Sequence, residues 1–235
     1  MTKEFEIKVP AVQENIPLHK YQKYVKLIQE NGEDIDMDFH RLKVLQIFCD
    51  LELNEAYKMP VAELDFIVSH ITGLLATESK LQRRFTMTDQ SGKTVEFGFM
   101  PNMSEMSLGE YIDLEQYIVD WEQMHKALAV MYRPIIGGNK QFYEIEEYKG
   151  SAKYAEIMKD APMTVAIGAM VFFYNLGKEL LRTTLHSLQE EVQKDLQQQK
   201  SPSAVNGDGI NQYMHSLEEM SLNLEKLHAL ISESA

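Results

Sequence analysis

Two stretches of this 235-residue chain, roughly 5–75 and 95–190, pass through the same landmarks in the same order. An imperfect internal repeat constrains the fold more than any single motif, because a duplicated unit must bury its apolar face twice. Each stretch opens with an alternating run ending in proline, Phe5 to Pro10 and Val95 to Pro101. Leucine and tyrosine then stand three apart, as Leu18 and Tyr21 and as Leu108 and Tyr111. An apolar-His-basic step follows, Phe39-His40-Arg41 against Met124-His125-Lys126, and then a Glu…Lys…Pro step, Glu55 to Pro60 against Glu156 to Pro162. Two readings are open. Proline and polar caps recur at helix starts in any chain, so helix punctuation alone produces some coincidence. A true duplication predicts two copies of a strand plus three-helix unit, each too small to bury much core alone, packed as a pseudo-symmetric pair.

Phe5, Ile7 and Val9 alternate with charged neighbours, the period of a half-buried strand. Ile16-Pro17 opens a helix that Asn31-Gly32 stops, and a second helix is predicted over about 38–49. After Met59-Pro60 the residues Val61, Leu64, Ile67, Val68, Ile71, Leu74 and Leu75 recur at helical spacing and predict a core face. Residues 83–100 carry the clearest β pattern, two alternating runs around Asp89-Gln90-Ser91-Gly92. A hairpin follows, and since two strands alone are marginal, the N-terminal strand is expected to join it. Ser107 and Glu110 have capping-box spacing, and the helix they start extends to about Tyr132 with a break near Asp120. Arg133-Pro134 ends that helix. Residues 141–148 fit a short strand or an ordered loop equally well, and a long helix runs from Pro162 to about Gln199.

Lys200 to Gly209 has the composition of a linker. Beyond it Ile210, Tyr213, Leu217, Met220, Leu224, Leu227 and Ile231 form a heptad seam, which either folds back on residues 180–199 or seeks a partner, another copy included. The expected architecture is mainly α with a small antiparallel β-sheet (α+β). Its parts are copy one at 1–80, the hairpin plus copy two at 81–199, packed together as one globular unit, the linker at 200–209 and the amphipathic helix at 210–235.

The formal charge of −13, from 36 acidic and 23 basic residues, repels phosphate backbones and argues against nucleic acid as a partner. Lys20, Lys23 and Lys26 read as a solvated helix face. The one cysteine, Cys49, lies in an apolar run and cannot form an intrachain disulfide, so nothing points to an oxidising compartment. The N-terminus lacks the apolar core of a signal peptide, and the apolar stretch from Met163 to Tyr174 is shorter than the roughly 20 residues a spanning helix needs, so no membrane partner is expected.

No nucleophile elbow, phosphate loop or dinucleotide fingerprint is present, and no cofactor is expected. Glu122 to His125 and Glu225 to His228 have the Glu-x-x-His spacing of carboxylate di-metal bundles. Glutamate is abundant enough here for two such matches to arise by chance, and no metal site is assigned. His40 and His125 are position-matched in the repeat and fit structural hydrogen bonding better than a facing pair. Glu110, Asp113, Glu115, Asp120 and Glu122 crowd one helix, as a solvated face or one that meets a basic partner. Trp121, Tyr132 and Arg133 are of types enriched at binding hot spots and, with Leu217, Met220, Leu224, Leu227 and Ile231, are the candidate partner-binding residues, although the apolar helix around Trp121 favours core packing for it and Arg133 before proline fits an exposed residue or one pairing an acidic group.

The stretch from Val95 to Ile136, above all Phe97-Gly98-Phe99-Met100-Pro101, Ser107 to Glu115 and Met124 to Pro134, resembles uncharacterised conserved proteins of tailed bacteriophages. Its strand followed by a Leu-Gly-Glu-aromatic helix start is also similar to small phage tail-assembly chaperones. The resemblance covers about a third of the chain closely and supplies no catalytic residues. It implies a non-enzymatic role in virion morphogenesis, in the host cytoplasm or the particle: an assembly or chaperone-like protein binding a phage structural protein, or alternatively a head-tail or tail accessory subunit. A helical metalloenzyme is the weaker third class. Copy one is expected to act as scaffold, and copy two with the terminal helix to supply the partner surface.

Overall fold

The computed structural model describes residues 7–31, 36–88 and 92–197, together with Glu225. The linker and the heptad segment otherwise lie outside the described residues, as does the start of the N-terminal run. In chain order the elements are α1 (Leu18–Asn31), α2 (Met37–Phe48), α3 (Leu53–Ala56), α4 (Val61–Leu75), β1 (Arg84–Thr88), β2 (Thr94–Phe99), α5 (Leu108–Ile118), α6 (Met124–Met131), β3 (Tyr132–Gly138), β4 (Tyr143–Ile145), α7 (Ala152–Met158) and α8 (Met163–Gln197).

The helices begin where the sequence supplies partners for free N–H groups. Asp36 caps α2, its Oδ1 accepting from Phe39 N at 2.8 Å. At the start of α1 and α8 the partners are reciprocal: Leu18 N donates to Ala161 O at 2.7 Å and Met163 N to Ile16 O at 2.9 Å. Pro17 and Pro162 face each other across this small antiparallel bridge, and the two helices leave it from one point. Leu18, Tyr21 and Val25 of α1 are buried, and on α4 the buried residues are Val68, Ile71 and Leu75. Val61, expected on the core face of α4, is exposed.

The four strands form an antiparallel sheet in sequence order, β1-β2-β3-β4. The described part of the N-terminal run, residues 7–10, has no strand structure and does not join it. Its expected place is taken by β3, which leaves α6 directly and pairs Pro134 with Phe97 and Tyr132 with Phe99. One sheet face is aromatic. Phe85 stacks on Phe97 at 5.6 Å between centroids, and Phe99 meets Tyr132 edge-on at 5.2 Å. Tyr154 of α7 packs on Phe97, and Phe172 of α8 packs on Phe99.

A single core draws on both halves, from Ile16 to Met170. Its seam is α1 against the turn between α5 and α6, where the Tyr21 and Trp121 rings meet edge-on at 4.9 Å and Gln22 Nε2 donates to Trp121 O at 2.6 Å. The described helices have 14, 12, 4 and 15 residues in the first half and 11, 8, 7 and 35 in the second, four in each where the repeat predicts three, and their lengths do not establish a duplication. The matched landmarks differ in environment, since Leu18 is fully buried while Leu108 is 74% exposed. Among the described residues no helix is long and apolar enough to cross a membrane.

Candidate functional site

The polar centre of the second half grows out of the α5 capping box. Glu110 Oε2 accepts from Ser107 N at 2.7 Å, and Glu110 N donates to Ser107 Oγ at 3.3 Å. Glu110 shares the inward face of α5 with Leu114 and Ile118, so its carboxylate is carried into the interior. There it meets Arg133. The strand pleat sends neighbours to opposite sides, so Tyr132 enters the aromatic layer while Arg133 reaches α5. Arg133 Nη2 lies 2.6 Å from Glu110 Oε1, and each side chain is 8% exposed.

Burial pushes the Glu110 carboxyl upward, but the two Ser107 contacts and the Arg133 charge outweigh it, holding the group below the usual carboxylate range. The Arg133 guanidinium also stands 5.5 Å from the centroid of the Tyr148 ring. The Tyr148 hydroxyl donates to Asp113 Oδ2, and burial followed by the Asp113 carboxylate pushes its pKa upward. Arg133 Nε is buried with no hydrogen-bond partner.

Beside this pair lies a cavity of about 300 Å³ whose walls include Asn102, Glu105, Glu110, Arg133, Tyr143 and Glu144. Tyr143 is fixed by donating to Phe99 O at 2.7 Å, across the sheet from its own strand. Gly98 makes that reach possible, because a Cβ there would stand 2.5 Å from Tyr143 Cε2. Glu105 is oriented by Asn102, whose Nδ2 donates to Glu105 Oε1 at 2.8 Å. A larger cavity of about 500 Å³, between residues 75–81 and the first turns of α8, is walled largely by apolar side chains such as Leu75, Ile167, Val171 and Phe172.

The candidate hot-spot residues fall in the interior. Trp121 and Tyr132 are core residues, the Tyr132 hydroxyl donating to Gln82 O at 2.8 Å, and Arg133 is committed to Glu110. None of the three is a surface contact in this conformation; their size and polar tips suit buried packing as well as they suit an interface. Leu217, Met220, Leu224, Leu227 and Ile231 lie outside the described residues. Exposed apolar residues include Leu108, Tyr111 and Ile112 on α5, Ile136 on β3 and Phe142, which is 77% exposed beside β4, as well as Val12, Met37, Phe39, Tyr57, Val61 and Phe66 in the first half.

The acidic crowd from Glu110 to Glu122 is not one helix face, since α5 ends at Ile118 and Asp120 and Glu122 lie in the turn after it. Beyond Glu110 and Asp113, Asp120 accepts from Glu122 N and Gln123 Nε2, and Glu122 pairs with Lys26 at 2.6 Å. His125 Nδ1 is 3.3 Å from Gln22 Nε2, and His40 Nε2 is 3.3 Å from the Tyr24 hydroxyl, so each matched histidine contacts α1. Among the described residues no three His, Cys, Asp or Glu side chains are grouped to hold a metal. No protein-family model, curated protein or solved structure matches the chain.

Proposed function

We propose that this chain is a non-enzymatic phage protein of virion morphogenesis, an assembly or chaperone-like protein that holds a structural protein through the outer faces of α5 and the β3–β4 hairpin. One observation carries the reading. Leu108, Tyr111 and Ile112, at i, i+3 and i+4 on one helix, are 74%, 53% and 51% exposed, where burial of such residues is the rule for a helix facing a core. Ile136 and Phe142 add exposed apolar area on the hairpin that shares the cavity with α5. The stretch that resembles phage proteins, Val95 to Ile136, contains α5, α6 and most of β2 and β3, and so includes most of this region.

The partner surface is thereby moved from Trp121, Tyr132 and Arg133 to residues the fold leaves outside. The heptad residues from Leu217 to Ile231 stay in the proposal as a second contact or a self-association seam. Affinity capture from infected cells with the whole chain and its Leu108→Glu/Ile112→Glu variant tests the reading. A phage structural protein retained by the first and lost from the second supports it; equal retention, or capture of no structural protein, contradicts it. A stoichiometric band of this chain in purified particles would replace the transient role with that of a tail or head-tail accessory subunit.

A further inference from the structure

We infer that the heptad segment from Ile210 to Ile231 returns along α8 and that its far end, Leu227 and Ile231, covers the apolar cavity between residues 75–81 and α8. The inference is independent of the assembly reading. It gives the heptad residues an internal site in the free chain, from which the second contact proposed above would have to release them.

The cavity holds about 500 Å³, and Leu75, Leu81, Ile167, Val171 and Phe172 are among its walls. Such walls gain free energy when an apolar group replaces the water against them. The register of α8 points to the occupant. Heptad steps back from Val192 and Leu188 pass through Leu185 and Leu181 to Lys178, Tyr174, Val171 and Ile167. The apolar seam of α8 therefore runs, without a shift of phase, into two walls of the cavity. Lys178 alone interrupts it, and its Nζ is turned back over the Tyr174 ring, 5.1 Å from the centroid. Among the described residues the core takes in α8 only as far as Tyr174, while the helix continues to Gln197. The rest of the seam, read from the sequence, needs a cover of its own.

Chain length sets where a returning helix ends. The linker from Lys200 to Gly209 is longer than the about two to eight residues that join most antiparallel helices, so reversal is easy. Tyr213 to Ile231 spans about 27 Å as a helix, the same as Val192 back to Tyr174. An antiparallel pairing that sets Tyr213 against Val192 matches Leu217 with Leu188, Met220 with Leu185 and Leu224 with Leu181. It brings Ile231 to Tyr174, one turn from Val171 at the cavity. Glu225, the described residue of this segment, is helical and exposed, as the position after a seam residue should be.

Double electron–electron resonance on the full chain tests the inference, with spin labels on Glu78→Cys and Ser232→Cys in a Cys49→Ala background. Glu78 is an exposed wall of the cavity. Docking predicts a narrow distance distribution centred at about 20 Å, a helix spacing of about 8–10 Å plus two label arms. A broad distribution reaching past about 33 Å, the length of α8 from Asn175 to Gln197, overturns it. Dilution with unlabelled chain separates the occupants. A narrow distance that persists supports docking within one chain, whereas one that vanishes assigns the cavity to a second copy and overturns the inference. Leu217→Glu/Leu224→Glu should convert the narrow distribution to the broad one. A distribution unchanged in that variant would show that the seam does not hold the segment on α8.

Discussion

Arg133 and Glu110 form a buried ion pair, Nη2 to Oε1 at 2.6 Å, that joins strand β3 to the first turn of helix α5. The carboxylate serves two ends at once, since its other oxygen caps the helix by accepting from Ser107 N. The pair therefore sets the position of α5, and with it the exposed Leu108, Tyr111 and Ile112, relative to the β3–β4 hairpin.

Removing one partner strands the other charge in the interior. Arg133→Met is predicted to cost about 3–5 kcal/mol in urea denaturation, whereas Glu110→Leu/Arg133→Met should recover most of that loss. A single variant that loses less than about 1 kcal/mol would show that the pair does not hold α5 in place.

Acid should weaken the fold in two stages. Burial pushes His40 down, and burial, then Lys159 and Lys126, push His125 down despite the opposing Glu156. The unfolded chain therefore takes up these protons first, so their contribution is whole above about pH 6.5 and is lost as pH falls below it. Glu110 is also depressed, so its contribution is whole above about pH 4.3 and is lost through more acid values. His125→Gln should flatten the first stage. A stability that stays level from about pH 7 to 5.5 would contradict the buried histidines.

Two helical glycines should respond with opposite signs. A Cβ on Gly168 would stand 2.3 Å from the Lys80 carbonyl oxygen, while one on Gly73 would meet nothing within 4 Å. Gly168→Ala is predicted to destabilise by about 1–3 kcal/mol and Gly73→Ala to stabilise by about 0.5–1 kcal/mol, read from urea midpoints. Equal responses would mean that α8 does not approach residue 80 so closely.

Burial pushes the Cys49 thiol up to about 11, with Lys20 opposing and Asp50 adding. At mildly alkaline pH its reaction with a colorimetric disulfide reagent should proceed at the rate of global unfolding and become fast only in denaturant. Immediate reaction of the native protein would place Cys49 at the surface.

Helices α1, α2, α4 and α5 and the β1–β2 hairpin are legible in the sequence because their apolar spacing and caps are local. Strand β3 is not, since Pro134 and the Gly137-Gly138 pair dilute its alternation and its partner β2 lies beyond two helices. The ion pair is hidden for a related reason. Glu110 already has a local role in the capping box, and nothing near it in sequence announces that a distant arginine uses its second oxygen. Leu108 shows the limit of landmark matching: it occupies the same place as Leu18 in the repeat, yet the fold buries one and exposes the other. Trp121 lies in the core, as its place in an apolar helix suggests, and Tyr132 is buried there too, so neither presents its hot-spot side chain at the surface.

Site-specific photocrosslinking tests the central claim most directly, with p-benzoylphenylalanine placed singly at Leu108, Phe142 and Phe66 during infection. Phe66 serves as the control because it is 76% exposed on α4, outside the proposed surface. The account predicts adducts to one phage structural protein from positions 108 and 142 and none from 66. No adduct from 108 and 142, or adducts from 66 alone, would contradict it.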